Sequence, residues 1–555
     1  MVHVKRDFEV KVSKNEVVVP VLPIQENKLP LSNLDLLLPP MNVGIFFCYK
    51  KPKNFTFDLI VVVLKKALAQ TLVSYSAFAG ELVKNDVGEP ELLCNNRGVD
   101  FVEALADVEL KELDLYNPDA TVEGKLVPKR QQGLLAIQGV KPRIFMDREK
   151  DRGATWCPPI GGAPASGRRP SNRGAPCGAP VPDPDPVPDP GQGAGSCSLG
   201  YWDTFRDLPP SQNSRSGAGR NGGSPQVGAT QLKCGGLLVA CTFSHQVADA
   251  YSANMFLVSW AEMAMSKPLS QTPSFRRSIL FPRRPASYDL SVDNMYVPIS
   301  SLPPPEATDE DDDDDQIAIS RIYYIVSDRI NDLQALANAD NDSSSGKKRT
   351  KLEAFSAFLW KMIVTSEFTR TDNFCRLGIV VDGRTRLING DENQEKLIKP
   401  YFGNVLSIPF GEKKIEELKE KPLSWVANEI HEFLGTAVTK EHFLGLIDWV
   451  EDHRPDPCLA KIYGARVSEE EPAVVVSSGQ HFPVKKMDFG WGEPCFGSYH
   501  FPWGGKSGYV MPMPSPKGNG DWIVYMHLLK GQLELIEKNA ADVFCPLNSE
   551  YLCFN

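Results

Sequence analysis

The chain has 555 residues, more than one hydrophobic core usually supports, and this length predicts two domains. Apolar residues make up 42% and charged residues 23%, which excludes a disordered chain and favours an ordinary globular protein. The formal net charge of −10 argues against broad attraction to nucleic acid or to an anionic membrane, so an anionic ligand would need a local basic site.

The first twenty residues alternate apolar with charged side chains, which predicts a strand and not a secretion signal. No stretch approaches the roughly 20 apolar residues that a bilayer-spanning helix needs. The 12 cysteines include no C-x-x-C pair, and several of them (Cys48, Cys94, Cys241 and Cys375) lie in apolar segments. This pattern favours reduced, buried thiols and a soluble, cytoplasmic protein.

After a predicted helix near 57–73, the stretch 139–229 differs from the rest of the chain, with 16 Gly and 15 Pro in 91 residues. It has too few apolar side chains to offset the entropy of ordering it, so we expect a disordered insertion. The flanking segments 133–138 and 230–244 together read as a strand, a turn and a second strand. The insertion therefore interrupts a hairpin in mid-strand, either as a surface-extruded loop or as a translated non-coding stretch outside the native fold.

A second break, Pro-rich and ending in the acidic run Glu310–Asp315, predicts a solvated crossover linker at 266–317. The predicted domains are therefore 1–265 and 318–555. A helix near 248–265 precedes the linker. The elements beyond it are strands at 318–326, 376–381 and 522–527, with helices near 328–337, 353–365 and 413–434. Strands and helices alternate in both halves, which indicates a mixed α/β fold.

His245 follows an apolar strand and precedes an amphipathic helix, in the sequence His245-Gln-Val-Ala-Asp249. A strand-to-helix corner presents side chains to a cleft, and an imidazole with a pKa near 6.5 can take a proton from an alcohol that attacks a thioester. Asp249 lies in the first helical turn, where a carboxylate is favoured by the helix dipole. By itself this spacing is weak evidence, because it also arises by chance.

A second motif, Asp488-Phe-Gly-Trp-Gly492, is not required by general turn chemistry. Together the two motifs resemble those of the BAHD acyl-CoA-dependent acyltransferases. Four more segments occur in that family's order: Leu31–Asp35, Tyr75–Gly80, Val381–Arg384 and Tyr401–Asn404. The resemblance covers nearly the whole chain apart from the insertion.

The resemblance implies a two-domain fold similar to chloramphenicol acetyltransferase, with mixed β-sheets, flanking helices and a channel between the domains. It implies that His245 is the catalytic base. Asp249 of the same catalytic motif would point away from the substrate and pair with Arg384. Arg386 is the fallback partner for Asp249. The Asp488, Gly490, Trp491 and Gly492 loop is then structural. The family uses acyl-CoA as a co-substrate, with no bound cofactor and no metal, and its members are usually monomers.

Family members that use shikimate or quinate carry a Trp-x-Arg element shortly before the Asp488 loop. The equivalent stretch here, Ser477–His481, contains neither Trp nor Arg, so the bidentate clamp for an acceptor carboxylate is missing. We therefore predict a neutral acceptor, with Asn404 and His481 in its pocket. Several segments are similar to coniferyl alcohol acyltransferases and to hydroxycinnamoyltransferase-like members of phenylpropanoid metabolism. A further departure, Ala250 where the family usually has glycine, suits a helix.

The basic loop Lys347, Lys348, Arg349 and Thr350 lies just before a predicted helix, and Thr350 with Glu353 forms a capping-box pattern. Free amides and basic side chains at a helix N-terminus can meet CoA phosphates. The alternative is a solvated basic loop without a ligand.

The sequence thus predicts transfer of an acyl group from acyl-CoA to the hydroxyl of a small neutral alcohol, with no nucleic acid or membrane partner. Two alternatives stay open at this point. One is a catalytically impaired family member whose insertion has displaced the strand before His245. The other is an N-acyltransferase that acts on amines.

Overall fold

The computed structural model describes residues 8–122, 125–127, 135–140, 229–302, 317–339, 348–364, 373–388, 390–464, 471–501 and 507–554. Nearly all of the predicted insertion, the acidic run Glu310–Asp315 and Lys347 lie outside the described residues. The described residues belong to one compact unit. The division at 266–317 into two domains stays a prediction.

The first sheet, here called the N-terminal sheet, has seven strands. Their spatial order is Val10–Val18, Val99–Ala106, Leu135–Val140, Ala229–Leu232, Leu237–Ser244, Asn42–Tyr49 and Phe496–His500. Leu237–Ser244, here called the central strand, is buried at all eight positions, which explains its continuous apolar sequence. Helices Phe57–Ser74 and Ala250–Ala264 pack together, and Trp260 donates a 2.9 Å hydrogen bond to the Leu64 carbonyl.

Leu135–Val140 and Ala229–Leu232 occupy one strand position between the same two neighbours, and together we call them the interrupted strand. On Val99–Ala106, Glu103 pairs with Gly139 and the next residue, Ala104, pairs with Thr230. On the central strand, Ile137 pairs with Cys241 and Ala229 pairs with Val239. The two halves therefore continue each other without a shift of register.

The second sheet, here called the C-terminal sheet, also has seven strands. Their order is Phe410–Lys414, Phe374–Ile379, Ala473–Val476, Gly508–Pro514, Trp522–Leu529, Ala318–Ile325 and Cys545–Pro546. Both of its faces are buried, because successive residues of one strand join different apolar clusters: Val475 packs in one and Val474 in the other. The second cluster lies under helices Ser327–Ala337, Lys351–Met362 and Leu423–Ala437.

One strand of the C-terminal half belongs to the N-terminal sheet. Phe496–His500, here called the exchanged strand, pairs antiparallel with Asn42–Tyr49, with Tyr499 opposite Ile45. The first apolar cluster accordingly contains residues from both ends of the chain, from Val18 to Phe554. A three-stranded sheet (Asn27–Pro30, Pro90–Cys94, Glu81–Lys84) and two strand pairs (Tyr296–Pro298 with Cys458–Ala460, Val381–Asp382 with Leu406–Ser407) complete the strands of the described residues.

The remaining α-helices of the described residues are Pro118–Thr121, Val292–Met295, Arg384–Ile388, Glu392–Ile398, Ile415–Glu420, Lys440–His453, Lys461–Gly464 and Lys530–Asn539. The predicted elements at 57–73, 248–265, 318–326, 328–337 and 522–527 are confirmed within a few residues. The single helix predicted at 413–434 is wrong. Its start belongs to strand Phe410–Lys414, and Pro422 divides the rest into two helices because proline lacks an N–H and restricts the residue before it.

Candidate active site

His245 directly follows the central strand and is the first residue of the turn that leads to helix Ala250–Ala264. Its main-chain N–H donates a 2.9 Å hydrogen bond to the Met41 carbonyl, at the start of the neighbouring strand. The side chain is half-buried, and its ring meets the Phe501 ring edge-on at 5.4 Å between centroids. Nδ1 is fully buried and has no hydrogen-bond partner among the described residues, so Nε2 is the nitrogen that can meet an acceptor hydroxyl.

Burial of the ring lowers the pKa of His245 below its ordinary value of 6.5. The histidine's own main-chain carbonyl, Asp249, the Asn404 side chain and Asp35 all favour the protonated form and oppose this shift. The net effect keeps the imidazole neutral at physiological pH, which is the form that can accept a proton.

Asp249 and Arg384 form a buried, bidentate ion pair, as predicted. The Arg384 Nη1 and Nη2 atoms donate to the two Asp249 carboxylate oxygens at 2.7 and 3.1 Å. Although burial opposes the charge, Asp249 and Asp382 hold the pKa of Arg384 above its ordinary value. Asp249 also caps helix Ala250–Ala264 by accepting from the Ser252 N–H at 2.9 Å, while Arg386 is exposed. The pair therefore fixes the helix start that follows His245.

The segment Gly403–Val405 connects this helix start to the C-terminal half. Its three successive N–H groups donate to Ser252 Oγ at 3.1 Å, to Asp35 Oδ1 at 2.7 Å and to Asp249 Oδ2 at 3.1 Å. Gly403 adopts φ +149°, and a Cβ there would lie 2.6 Å from Arg277 Nη1. Glycine is therefore required where this segment passes the guanidinium group.

Asn404, which the sequence analysis places in the acceptor pocket, has a fully buried side chain. Its Nδ2 donates to Asp35 Oδ1 at 2.9 Å and to the His245 main-chain carbonyl at 2.9 Å. His481, the other residue predicted for that pocket, is exposed. The pocket role of both residues stays a prediction.

The loop Asp488–Gly492 packs against the N-terminal sheet and helix Ala250–Ala264. Asp488 accepts from the N–H groups of Gly490 and Gly492 at 2.8 and 2.9 Å, and both glycines adopt positive φ. Trp491 stacks on Phe489, and Phe489 lies edge-on to Trp260 at 4.8 Å. The loop thus packs through its aromatic side chains, and its structural role stays a prediction.

In the basic loop, the described residues begin at Lys348, which is exposed. The Arg349 side chain is buried, and its Nε donates to Asn428 at 2.8 Å. The predicted capping box is confirmed, because Glu353 N–H donates to Thr350 Oγ1 and Thr350 N–H donates to the Glu353 carboxylate. CoA binding by Lys347, Lys348, Arg349 and Thr350 stays a prediction.

Sequence reasoning missed the aromatic side chains near His245. Phe501 contacts the imidazole, and the Tyr509 ring lies 4.5 Å from the Phe501 ring. Asp35 was quoted only as part of a family segment, without a role. The described residues contain no group of three or more His, Cys, Asp or Glu side chains placed to hold a metal ion. Nor do they include a helix long and apolar enough to cross a membrane.

The fold is that of the chloramphenicol-acetyltransferase-like acyltransferases. Among solved structures, TRI101 of F. graminearum in complex with coenzyme A and deoxynivalenol matches with a TM-score of 0.60, covering 93% of this chain and 98% of that chain at 13% identity. The two sheets and their flanking helices thus agree with the predicted fold class.

A family model described as the Transferase family matches residues 8–139 and 225–543. The chain belongs to this family, the BAHD acyltransferases, which confirms the predicted class of enzyme, an acyl-CoA-dependent O-acyltransferase. Omega-hydroxypalmitate O-feruloyl transferase of Arabidopsis thaliana is 24% identical over 84% of this chain and 78% of its own length. Shikimate O-hydroxycinnamoyltransferase of Nicotiana tabacum is 22% identical over 96% of this chain and 100% of its own length.

Proposed function

We propose that this enzyme transfers an acyl group from acyl-CoA to the hydroxyl of a neutral alcohol, with coniferyl alcohol as the expected type of acceptor, and that His245 is the general base. The observation that carries the proposal is the half-buried His245 side chain at the end of the central strand, with only Nε2 left to meet a substrate. Hydroxycinnamoyl and feruloyl transferases among its relatives support an aromatic, phenylpropanoid-type substrate.

In the proposed reaction, Nε2 of His245 accepts the hydroxyl proton while the acceptor oxygen attacks the thioester carbon. The tetrahedral intermediate collapses, the C–S bond breaks, and the CoA thiolate takes the proton back from the imidazolium. Both substrates are held together, so the acyl group passes directly between them. Proton transfer by a positioned base typically contributes about a hundred- to ten-thousandfold to such a rate.

The aromatic rings beside the imidazole support a neutral acceptor. The Phe501 ring contacts the imidazole, and the Tyr509 ring contacts Phe501. The Tyr509 side chain is hydrogen-bonded to Ser477, the first residue of the stretch that lacks the Trp-x-Arg clamp. The buried Arg384 is bound through Nη1 and Nη2 to the two Asp249 carboxylate oxygens. Its bidentate face is therefore occupied by Asp249 and does not serve as the clamp for an acceptor carboxylate.

The continuous register of the interrupted strand argues against an impaired enzyme. If the insertion had displaced the strand beside the central strand, the two halves would pair with Cys241 and Val239 in different registers. Their pairs are in the same register. The support for His245 is therefore retained on both sides, by the interrupted strand and by Asn42–Tyr49.

The test is a mass-spectrometric assay of the purified full chain with acetyl-CoA and hydroxycinnamoyl-CoA donors against coniferyl alcohol, shikimate and an amine acceptor. We expect acylated coniferyl alcohol as the main product. Faster acylation of shikimate contradicts the neutral acceptor, and faster acylation of the amine contradicts the O-acyl specificity.

A further inference from the structure

A side chain of the C-terminal half of the chain, Asn404, bonds to the His245 main chain. Asn404 donates from Nδ2 to the His245 carbonyl at 2.9 Å, across 159 positions of sequence. The peptide that follows the catalytic imidazole therefore depends on how the Asn404 amide is oriented. An amide that could rotate would present its oxygen to this carbonyl instead, and two acceptors repel.

Asp35 fixes that orientation. Its Oδ1 accepts from both the main-chain N–H and the Nδ2 of Asn404, at 2.7 and 2.9 Å. Since a carboxylate only accepts hydrogen bonds, the side-chain nitrogen of Asn404 must face it. Nδ2 then has its second proton directed to the His245 carbonyl. Hydrogen bonds to an ionised partner are stronger than neutral ones, which strengthens this constraint.

The carboxylate is itself held rigidly. The other oxygen, Oδ2, accepts from Ser32 N–H at 2.9 Å and from Ser32 Oγ at 2.7 Å. Arg277 Nη1 lies 3.8 Å from Oδ2 and donates to the Tyr401 hydroxyl and the Phe402 carbonyl, both at 2.7 Å. Asp35 and Asn404 are completely buried, so the network is shielded from solvent. Both Asp35 oxygens and Asn404 Nδ2 are paired in this network, which fixes the carboxylate and the amide nitrogen in one arrangement.

We propose that Asp35 is a positioning residue of the transfer reaction, acting through the Asn404 amide to fix the main chain of His245 and hence the direction of its imidazole. This inference rests on the proposed function of His245. It adds a second carboxylate, distinct from Asp249, to the groups that set the histidine. Neither Asp35 nor Asn404 needs to touch substrate in this role.

The test compares Asn404→Ala and Asp35→Asn with a matched control, Asn33→Ala. Asn33 is a buried asparagine whose side chain bonds to the Ile447 carbonyl at 2.8 Å and to Arg454, so its loss leaves the Asp35 and Asn404 side chains in place. For Asn404→Ala we expect kcat to fall about ten- to a hundredfold, the loss that a misplaced reacting group produces, with KM for acyl-CoA within about twofold of the parent. Asn33→Ala should keep kcat close to the parental value.

The second readout needs no substrate. In protein labelled at histidine, the His245 imidazole is identified by NMR from the signal that His245→Ala removes, and its titration is followed with pH. Because Asp35 and the Asn404 side chain both favour the protonated ring, Asp35→Asn and Asn404→Ala should each titrate at lower pH than the parent, while Asn33→Ala should not shift. A merely structural network would lower thermal stability without moving this titration selectively.

Folded Asn404→Ala with parental kcat and an unshifted imidazole overturns the proposal. So does a loss of kcat that follows thermal stability equally in all three variants. If Asp35→Asn does not fold, Asn404→Ala decides, because it leaves Asp35 with Ser32 and Arg277. If the parent transfers no acyl group, the proposed function fails, and the titration still decides whether Asp35 holds the imidazole.

Discussion

Two buried carboxylates act on different groups near His245. Asp249 caps the helix that follows the histidine and pairs with Arg384, so it holds the turn after the imidazole. Asp35 binds Asn404, which holds the histidine's own carbonyl. At the residue scale, both carboxylates therefore act on the histidine through other groups.

Arg384→Ala tests the first carboxylate. Arg384 and Asp249 are almost completely buried, and removing one partner leaves an uncompensated charge in the interior. We expect the free energy of unfolding to fall by about 3 to 5 kcal/mol, measured by denaturant titration. Arg386→Ala, an exposed arginine two positions away, should change it by no more than about 0.5 kcal/mol. Equal effects of the two variants would contradict the assignment of the ion pair.

His442 provides a pH-dependent prediction. Burial lowers its pKa to about 4, against 6.5 in the unfolded chain, and its Nε2 lies 2.8 Å from Ser407 Oγ, with the Phe443 ring against it. Below pH 6.5 the unfolded chain therefore binds the proton first, so stability is complete above pH 6.5 and is lost as pH falls towards 4. The shift corresponds to about 3 kcal/mol.

Urea unfolding of the parent and of His442→Gln between pH 7 and pH 4 measures this effect. The parent should lose stability more steeply than the variant across that interval. Parallel curves would show that His442 titrates normally in the folded protein.

Sequence reasoning reached His245, Asp249 and Arg384 because their roles follow a recognisable motif. It placed Asn404, the last residue of the family segment Tyr401–Asn404, in the acceptor pocket, and it did not predict that the side chain bonds to Asp35 and to the His245 carbonyl. The direction of that side chain depends on Asp35, which lies 369 positions away, and no local pattern contains this information. Phe501 was missed for the same reason, since its contact with His245 arises from the exchanged strand's position.

At the scale of elements, the interrupted strand explains how a long insertion is compatible with the site. Gly139 and Thr230 pair with two consecutive residues of strand Val99–Ala106, Glu103 and Ala104. The chain therefore leaves the sheet and re-enters it at one point. That point faces Val239 of the central strand, several residues before His245. The family model has its gap at the same place, between residues 139 and 225.

Deleting residues 140–229, 90 in all, should therefore restore a continuous strand. Joining Gly139 to Thr230 keeps Gly139 opposite Val239 and Thr230 opposite Leu238. We expect a folded enzyme with activity close to the parent, more stable by up to about 4 kcal/mol from the removed loop-closure entropy. Thermal unfolding and the coniferyl alcohol assay measure these two quantities.

The matched control deletes one residue more, 139–229. It moves Thr230 opposite Val239, and a slip of one residue turns the side chains after the junction to the other face of the sheet. This variant should be less stable and less soluble than the 90-residue deletion. If the shorter deletion is the inactive one, the insertion contributes to the working fold.

The element predictions succeeded where the periodicity was long and uninterrupted, as in helix Phe57–Ser74. They failed at 413–434, where lysine and glutamate favour a helix by intrinsic propensity although the segment begins in a strand. Lys413 and Lys414 join a strand because Cys375 and Phe374 offer backbone partners, which is a tertiary effect.

At the scale of the whole molecule, the exchanged strand ties the two halves together. Phe496–His500 covers the edge of Asn42–Tyr49, and that strand in turn pairs with the central strand that ends at His245. An uncovered edge leaves unpaired N–H and C=O groups and an apolar surface. No feature of 496–500 in the sequence shows which sheet it joins.

The fragment 1–265 expressed alone should therefore be insoluble or unfolded, while its co-expression with 266–555 should recover soluble protein. Circular dichroism and limited proteolysis of the two preparations provide the measurement. If 1–265 alone is stable and unfolds cooperatively, then the exchanged strand is dispensable and the first half folds by itself.

The most direct test of the account is the pair His245→Ala and His453→Ala, assayed for kcat/KM with acyl-CoA and coniferyl alcohol between pH 5 and pH 8. His453 lies at the end of helix Lys440–His453, stacked on Trp449. Loss of the base should lower kcat/KM about a hundred- to ten-thousandfold without unfolding the protein, and His453→Ala should resemble the parent. Because the pKa of His245 is lowered, parental activity should fall with acidification only below pH 6.5. A folded His245→Ala enzyme within about threefold of the parent would contradict general-base catalysis by this residue.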